Sequence, residues 1–210
     1  MPPMSKSELA LNLPYEFRDF IQDDPDDYVY DYAVDEIVTD DGGKVERIEL
    51  YTAAVRKSLI ELYAQMLRKA GFKLKVATPA PMAYMTLLRR YAEAVPEGLV
   101  DDDHDMVLVD IGHSNVHVSL FRGTRFDSAR TVDFGCYEFD SAIANLKGID
   151  PYTAGAYKFN NFENVMDDPE CLAICDRFAL EVSKVVNFYS FNNPEREISR
   201  LCFLGGGANI

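Results

Sequence analysis

Two apolar runs, far apart in the chain, each end in glycine. The first is Val107–Ile111 followed by Gly112, and the second is Leu201–Leu204 followed by Gly205-Gly-Gly207. Short apolar runs are typical of buried strands, and glycine at a strand end lets backbone N–H groups approach a phosphate or an adenosine without a side chain between them. The pair therefore predicts a sheet whose strand ends carry the two halves of a nucleotide site.

Composition excludes several classes of protein. The 210 residues include 35 acidic and 21 basic side chains, for a net charge of −14, and there is no Lys/Arg cluster. Such a chain repels nucleic acid and anionic lipid, so we expect no nucleic-acid partner. No apolar stretch approaches the ~20 residues of a membrane span and the N-terminus lacks a signal pattern, so we expect a cytoplasmic protein without direct membrane insertion.

The cysteines show neither metal-ligand nor disulfide spacing, and no histidine clusters with them. We predict that they are core thiols: Cys136, Cys171, Cys175 and Cys202.

The first part of the chain, residues 1–76, predicts a small α+β unit. A helix is expected from about Glu8 to Ile21, interrupted by Pro14, and the turn Asp40–Gly43 should join two antiparallel strands. The first strand alternates, which predicts one half-buried face made of Tyr28, Tyr30, Tyr32 and Val34. A helix capped at Gly71 follows, with its apolar stripe at Leu59, Tyr63, Met66, Leu67 and Ala70.

The second part, residues 77–100, predicts a strand starting near Lys75 and a helix over 79–94. The buried side of that helix is expected to carry Met82, Met85, Leu88 and Tyr91. The acidic run 101–105 should then be a solvated loop and a domain boundary.

The third part, residues 105–210, predicts a strand meander followed by helices. Met106–Ile111 is apolar on both faces and so should be the central strand, with Val116–Phe121 beside it and a third strand ending near Val132. A helix is expected from Pro169 to about Phe191, and a strand from Arg200 to Leu204. The stripe of that helix should comprise Cys171, Cys175, Phe178, Val182, Val185, Val186 and Tyr189.

Asp110-Ile-Gly112, followed much later by Gly205-Gly-Gly207, resembles the second phosphate loop and the adenosine loop of the actin-like ATPases. Within that superfamily the chain is most similar to the PilM family of type IV pilus assembly proteins, relatives of the division protein FtsA. Further segments carry the likeness, in the family's order: Leu13–Glu16, Asp31–Val34, Val55–Phe72 and Val76–Ala83. The resemblance implies an α/β, actin-like (ribonuclease H-like) fold with an inserted α+β subdomain at 1–76.

The same resemblance assigns roles in binding ATP and Mg²⁺, but no catalytic residue. It implies that Asp110 orients Mg²⁺ or its waters and that the loop Gly112, His113, Ser114 and Asn115 offers backbone donors to phosphate. Gly205, Gly206 and Gly207 would line the adenine and ribose. Relatives carry small hydroxyl residues where His113–Val116 stand here, so a loop that keeps the fold without the nucleotide is an open alternative.

An actin-like domain also needs an earlier phosphate loop and a helix after the adenosine glycines. Neither is found in the sequence, so we expect a fragment or a reduced relative that by itself binds ATP with Mg²⁺ weakly or not at all.

The resemblance implies an adaptor that is peripheral at the inner face of the cell membrane and binds the N-terminal tail of a PilN-like inner-membrane protein, together with other pilus assembly proteins. An FtsA-like division adaptor and a phosphotransferase of the sugar-kinase branch are the alternatives. The likeness of the inserted subdomain, which the resemblance confines to the pilus and division proteins, favours an adaptor over the phosphotransferase.

Overall fold

The computed structural model describes residues 1–94 and 104–210, which form two compact units, Met1–Pro79 and Ala80–Ile210. Part of the predicted acidic loop, residues 101–103, lies outside the described residues.

The first unit contains a helix, a hairpin and a second helix. Its elements are α1 (Lys6–Glu16), β1 (Tyr28–Thr39), β2 (Val45–Arg56) and α2 (Lys57–Lys69). The strands β1 and β2 are antiparallel, and the turn between them is stabilised by Asp40, whose carboxylate accepts the N–H groups of Gly42 and Lys44. Gly43 has a φ of 77°, which suits glycine in a tight turn. The predicted hairpin is confirmed.

Helix α1 begins at a capping box and ends earlier than predicted. Ser5 and Glu8 exchange side-chain and backbone hydrogen bonds, which satisfies N–H groups that have no acceptor within the helix. Leu9 and Leu13 are buried. Extension of the helix to Ile21 is wrong: Pro14 occupies the last turn, where its missing N–H weakens the hydrogen-bond ladder, and the helix stops at Glu16.

The tyrosine face of β1 is confirmed over its first half. Tyr28, Tyr30 and Tyr32 are half-buried and alternate with exposed residues. Val34, expected on the same face, is instead exposed, because a register shift between Val34 and Glu36 reverses the alternation.

Helix α2 has the predicted extent, and Gly71 follows it with a φ of 83°, as a C-terminal cap requires. Much of the apolar stripe of α2 is exposed: Leu59, Tyr63 and Met66 are 43%, 52% and 57% exposed. Periodicity determines which side chains share a face, but not whether another element covers that face.

No regular element is present over residues 72–79, so the strand predicted from Lys75 is wrong. A strand needs a neighbour to accept its hydrogen bonds, and none of the described strands lies beside this segment.

The second unit is built on a four-stranded sheet of order β5-β4-β3-β6. Its elements are α3 (Ala80–Ala94), β3 (Asp105–Ile111), β4 (Val116–Arg122), β5 (Arg125–Val132), α4 (Tyr137–Lys147), α5 (Pro151–Phe159), α6 (Pro169–Asn192) and β6 (Ile198–Leu204). The first three strands form an antiparallel meander, and β6 pairs parallel to β3. The predicted central strand is thus confirmed.

Both faces of this sheet are covered. Val107 and Val109 of β3 point into a core shared with α4, α5 and α6. The alternate residues Met106 and Leu108 are also buried. Helix α3 packs against β5, and its Tyr84 reaches Asp110 on this second face. This arrangement explains why β3 carries apolar side chains on both of its faces.

Helix α6 confirms the long C-terminal helix, with Val182 and Tyr189 buried. The predicted burial of Cys175 is wrong, because Ile174, one position earlier, occupies the core side of that turn. Of the other predicted core thiols, Cys136 and Cys171 are buried and Cys202 is half-buried.

The position of Asp105 differs from the expectation that residues 101–105 form a solvated loop. It begins β3 and is completely buried, where Arg196 Nε donates to both carboxylate oxygens at 2.8 Å and Tyr189 Oη donates to Oδ2 at 2.6 Å. The partners lie 84 and 91 residues away in sequence, so local composition could not indicate them.

Candidate functional site

The two glycine loops meet at one end of the sheet. Because β3 and β6 are parallel neighbours, their carboxyl ends lie side by side, and Asp110 is in register with Leu204. The loops that follow, Gly112–Asn115 and Gly205–Gly207, therefore converge as the sequence predicted. This is the edge at which open α/β sheets carry ligands.

The three glycines after β6 have different environments. A Cβ atom on Gly205, whose φ is 87°, would lie 2.3 Å from Asp110 Oδ1. On Gly207 it would lie 2.3 Å from Ile111 Cγ2 and 2.5 Å from Cys136 Sγ. Gly206 alone of the three is open, with no atom within 4 Å of its Cβ position. Packing inside the fold accounts for two of the glycines, and only Gly206 offers an unobstructed backbone approach.

The backbone of the first loop directs its carbonyl groups inward. The N–H of Gly112 donates to Asn115 O at 3.0 Å, and the oxygens of Gly112 and His113 accept from the N–H groups of Cys136 and Tyr137 at 3.1 and 2.9 Å. Within the described residues, the N–H groups of His113 and Ser114 donate to no protein acceptor. Successive free N–H groups of this kind form a concavity that suits an anion.

The side chains of this loop are engaged with the protein or point to solvent. Asn115 Nδ2 donates to Asp133 Oδ1 at 3.1 Å, which holds the amide away from any ligand. The His113 side chain is 68% exposed and its ring meets that of Tyr137 edge to face. The amide of Asn115 is thus engaged within the protein, whereas the His113 side chain is accessible from the adjoining cleft.

Asp110 is held by a residue to which sequence reasoning gave no role. Tyr84 Oη, from α3, donates to Asp110 Oδ2 at 2.7 Å. Burial, followed by the hydrogen bond and the charge of Asp110, raises the pKa of Tyr84 to about 12, so the phenol stays protonated and remains a donor at neutral pH. No sequence signal indicated the pair, because Tyr84 reads as one more side chain of an amphipathic helix.

A second charged pair was also missed. Asp140 of α4 is buried, and its Oδ1 lies 2.6 Å from Nζ of Lys158 in α5, whose side chain is only 10% exposed. The contact is ionic, since Oδ1 has no hydrogen-bond partner in the described residues. Lys158 Nζ also donates to Cys136 O at 3.3 Å, next to the loop. The one available signal was an acidic residue among apolar ones on α4.

An open cleft of about 480 Å³ adjoins this pair and the first loop. It is lined by His113, Tyr137, Asp140, Pro151, Tyr152, Gly155 and Ala156.

The described part of the site does not contain a cluster of side-chain metal ligands. No group of three or more His, Cys, Asp or Glu side chains within residues 1–94 and 104–210 could hold a metal ion. A single carboxylate, Asp110, fits Mg²⁺ only in the mode in which most ligands are waters and phosphate oxygens.

The first unit has a cleft of its own, of about 610 Å³, between the strands and α2. Its lining is Tyr28, Ala54, Val55, Arg56, Ser58, Leu59 and Leu62. Arg56 is ion-paired with Asp23, and its Nε donates to Tyr28 Oη at 3.1 Å, which fixes the tyrosine at one end of the cleft. Leu59, from the apolar stripe of α2, is part of the same lining.

The meander with its added parallel strand, and the two glycine loops at one end of it, define an actin-like α/β fold. The chain belongs to the family of the type IV pilus assembly protein PilM, whose family model matches residues 4–210.

A solved structure shows the same fold. A PilM–PilN type IV pilus biogenesis complex contains a chain that matches at a TM-score of 0.78 and 21% identity, over 99% of this chain and 58% of that one. This chain thus spans a little more than half the length of the matched protein. Ethanolamine utilization protein EutJ from Carboxydothermus hydrogenoformans matches at a TM-score of 0.38 and 18% identity, over 77% of this chain and 72% of that one. Apo pSK41 ParM matches at a TM-score of 0.37 and 18% identity, over 51% of this chain and 31% of that one.

Within the described ranges, no helix is both long and apolar enough to cross a membrane.

Proposed function

We propose that this chain is an adaptor in type IV pilus assembly and that it binds the cytoplasmic N-terminal tail of a PilN-like inner-membrane protein at the inner face of the membrane. The observation that carries the proposal is the match over 99% of the chain to a PilM that was solved together with PilN. The exposed apolar cleft on the first unit supports it.

That cleft suits an extended peptide with one apolar anchor. Tyr28, Leu59 and Leu62 form an apolar lining, and an anchor side chain buried there would supply most of the binding energy. The acidic segment 23–27 runs along the same side of the unit, just before β1, and Asp24, Asp26 and Asp27 are exposed. A tail with Arg or Lys beside its apolar residue is therefore the expected ligand.

Titration of a peptide from the N-terminus of the cognate membrane partner tests this proposal. We expect binding without ATP and a loss of affinity as salt is added. Replacing both Leu59 and Leu62 by serine should weaken binding about tenfold or more, since the anchor loses its pocket. Leu11→Ser is the control, because Leu11 is an exposed leucine on α1 that does not line the cleft. Absence of binding to the full-length protein, with the basic residue and the apolar anchor of the peptide intact, would reject the adaptor proposal.

We propose further that the second unit takes ATP with Mg²⁺ at the converging loops. The free N–H groups of His113 and Ser114 would face the phosphates, Gly206 would face the nucleoside, and Asp110 would hold a water of the metal. Mg²⁺ would neutralise phosphate charge, which matters in a chain of net charge −14. With a single side-chain ligand in view, the affinity of this chain should be weak.

An NMR titration with Mg·ATP can detect weak binding through shifts of the loop resonances. Gly206→Ala should weaken binding while leaving the melting temperature unchanged, because a Cβ atom there has no heavy atom from the surrounding fold within 4 Å. Asp110→Ala should weaken binding only when Mg²⁺ is present. No shift of the loop resonances at millimolar nucleotide would favour the alternative, a loop that keeps the fold without binding nucleotide.

A further inference from the structure

Helix α3 contacts the sheet in two ways, through apolar packing and through a hydrogen bond. Met85 and Leu88 are buried at its apolar side, and one turn of the same helix places Tyr84 against the carboxylate of Asp110. The apolar contacts are non-directional, whereas the hydrogen bond links this helix to one residue of the proposed nucleotide site.

The carboxylate of Asp110 is constrained on both of its oxygens. Oδ2 accepts the phenol of Tyr84 at 2.7 Å, while Oδ1 lies so close to Gly205 that a Cβ there would come within 2.3 Å. Oδ1 therefore has little room to turn. A metal-bound water that donates to Oδ2 therefore shares this oxygen with the Tyr84 phenol or displaces the phenol from it.

We propose that Tyr84 is a positioning residue that holds Asp110 when no nucleotide is bound, and that engagement of Asp110 by Mg²⁺-nucleotide releases Tyr84 and loosens α3. The inference rests on the proposed nucleotide function. Helix α3 is the first element of the second unit and directly follows residue Pro79, the last of the first unit. Loosening α3 therefore acts on the segment that joins the nucleotide loops to the unit proposed to bind the tail.

Hydrogen exchange without nucleotide tests the first half of the proposal. In Tyr84→Phe the ring is kept and the donor is lost, so the α3 amides should exchange about tenfold faster, as expected when a hydrogen bond to a charged group is removed. Asp110→Asn removes the charge of the same pair and should act in the same direction, and the double variant should add little to either change. Tyr91→Phe, a half-buried tyrosine of the same helix, is the matched control and should leave exchange unchanged. Parent-like exchange in Tyr84→Phe would overturn the proposal.

Nucleotide titration tests the second half. Without the competing phenol, Tyr84→Phe should bind Mg·ADP about five- to tenfold more tightly than the parent chain, and equally to the parent when EDTA removes the metal. Nucleotide binding by the parent with no Mg²⁺-dependent gain in the variant, or with a loss, rejects the role of Tyr84 and leaves the nucleotide proposal intact. Binding by neither protein rejects both.

Discussion

Removing one partner of the buried ion pair between Asp105 and Arg196 should strongly destabilise the second unit. Asp105 has no exposed surface, and Arg196 supplies two hydrogen bonds at 2.8 Å through Nε. Arg196→Met keeps an apolar stem of similar length but leaves a buried carboxylate that retains the hydrogen bond from Tyr189 and the charge of Arg122. Breaking such a pair costs about 3–5 kcal/mol, and we expect the lower end because the Arg196 side chain is 30% exposed, so water can enter where the guanidinium was.

A second variant separates the charge from the packing. Asp105→Leu combined with Arg196→Met removes both charges, so it should recover most of the loss, because no ion is left without a partner. Urea unfolding followed by far-ultraviolet circular dichroism measures both variants. An unfolding free energy of Arg196→Met within about 1 kcal/mol of the parent value would refute the reasoning, since burial of a carboxylate without its ion-pair partner should cost more than that.

The same pair determines a pH dependence. Burial by itself raises the pKa of Asp105, but the hydrogen bonds from Arg196 and Tyr189 and the charge of Arg196 outweigh it, so the pKa lies below its ordinary value of 3.8. A lowered carboxylate pKa contributes stability that is present above the unfolded-state pKa and is lost as the pH falls through the folded-state pKa. The parent should therefore lose stability on acidification below about pH 4, and the double variant should lose less.

Three further results are expected. Gly207→Ala should destabilise the chain by about 1–3 kcal/mol because its Cβ overlaps Ile111 and Cys136, whereas Gly206→Ala should be silent; equal melting temperatures would contradict the packing argument. Val185→Asp, which places a charge against the core beside α6, should cost on the order of 3 kcal/mol, and exposed Lys184→Ala almost nothing; unfolding titrations compare them. Cys175 should react with a thiol reagent well before the two buried cysteines, and simultaneous reaction of all would argue against the observed phase of α6.

Local pattern determined much of the fold by itself. The hairpin at Asp40–Gly43, the central strand β3 and the long helix α6 follow from turn residues and from periodicities of two and 3.6, all of which involve residues a few positions apart. Burial of β3 on both faces was also predictable from its apolar residues. The convergence of the two glycine loops depends on the pairing of β3 with β6, which only the resemblance to the actin-like ATPases indicated.

Only the tertiary structure decided the rest, because its determinants are far apart in the chain. Asp105 looks like part of an acidic loop until Arg196, 91 residues later, is placed against it, and Tyr84 gains its role from Asp110, 26 residues away. The apolar stripe of α2 shows the complementary case: the sequence places its side chains on one face, but whether that face is buried depends on which element packs against it. Charges and glycines are the residues whose environment a local pattern predicts least, since their cost or benefit depends on partners that folding brings together.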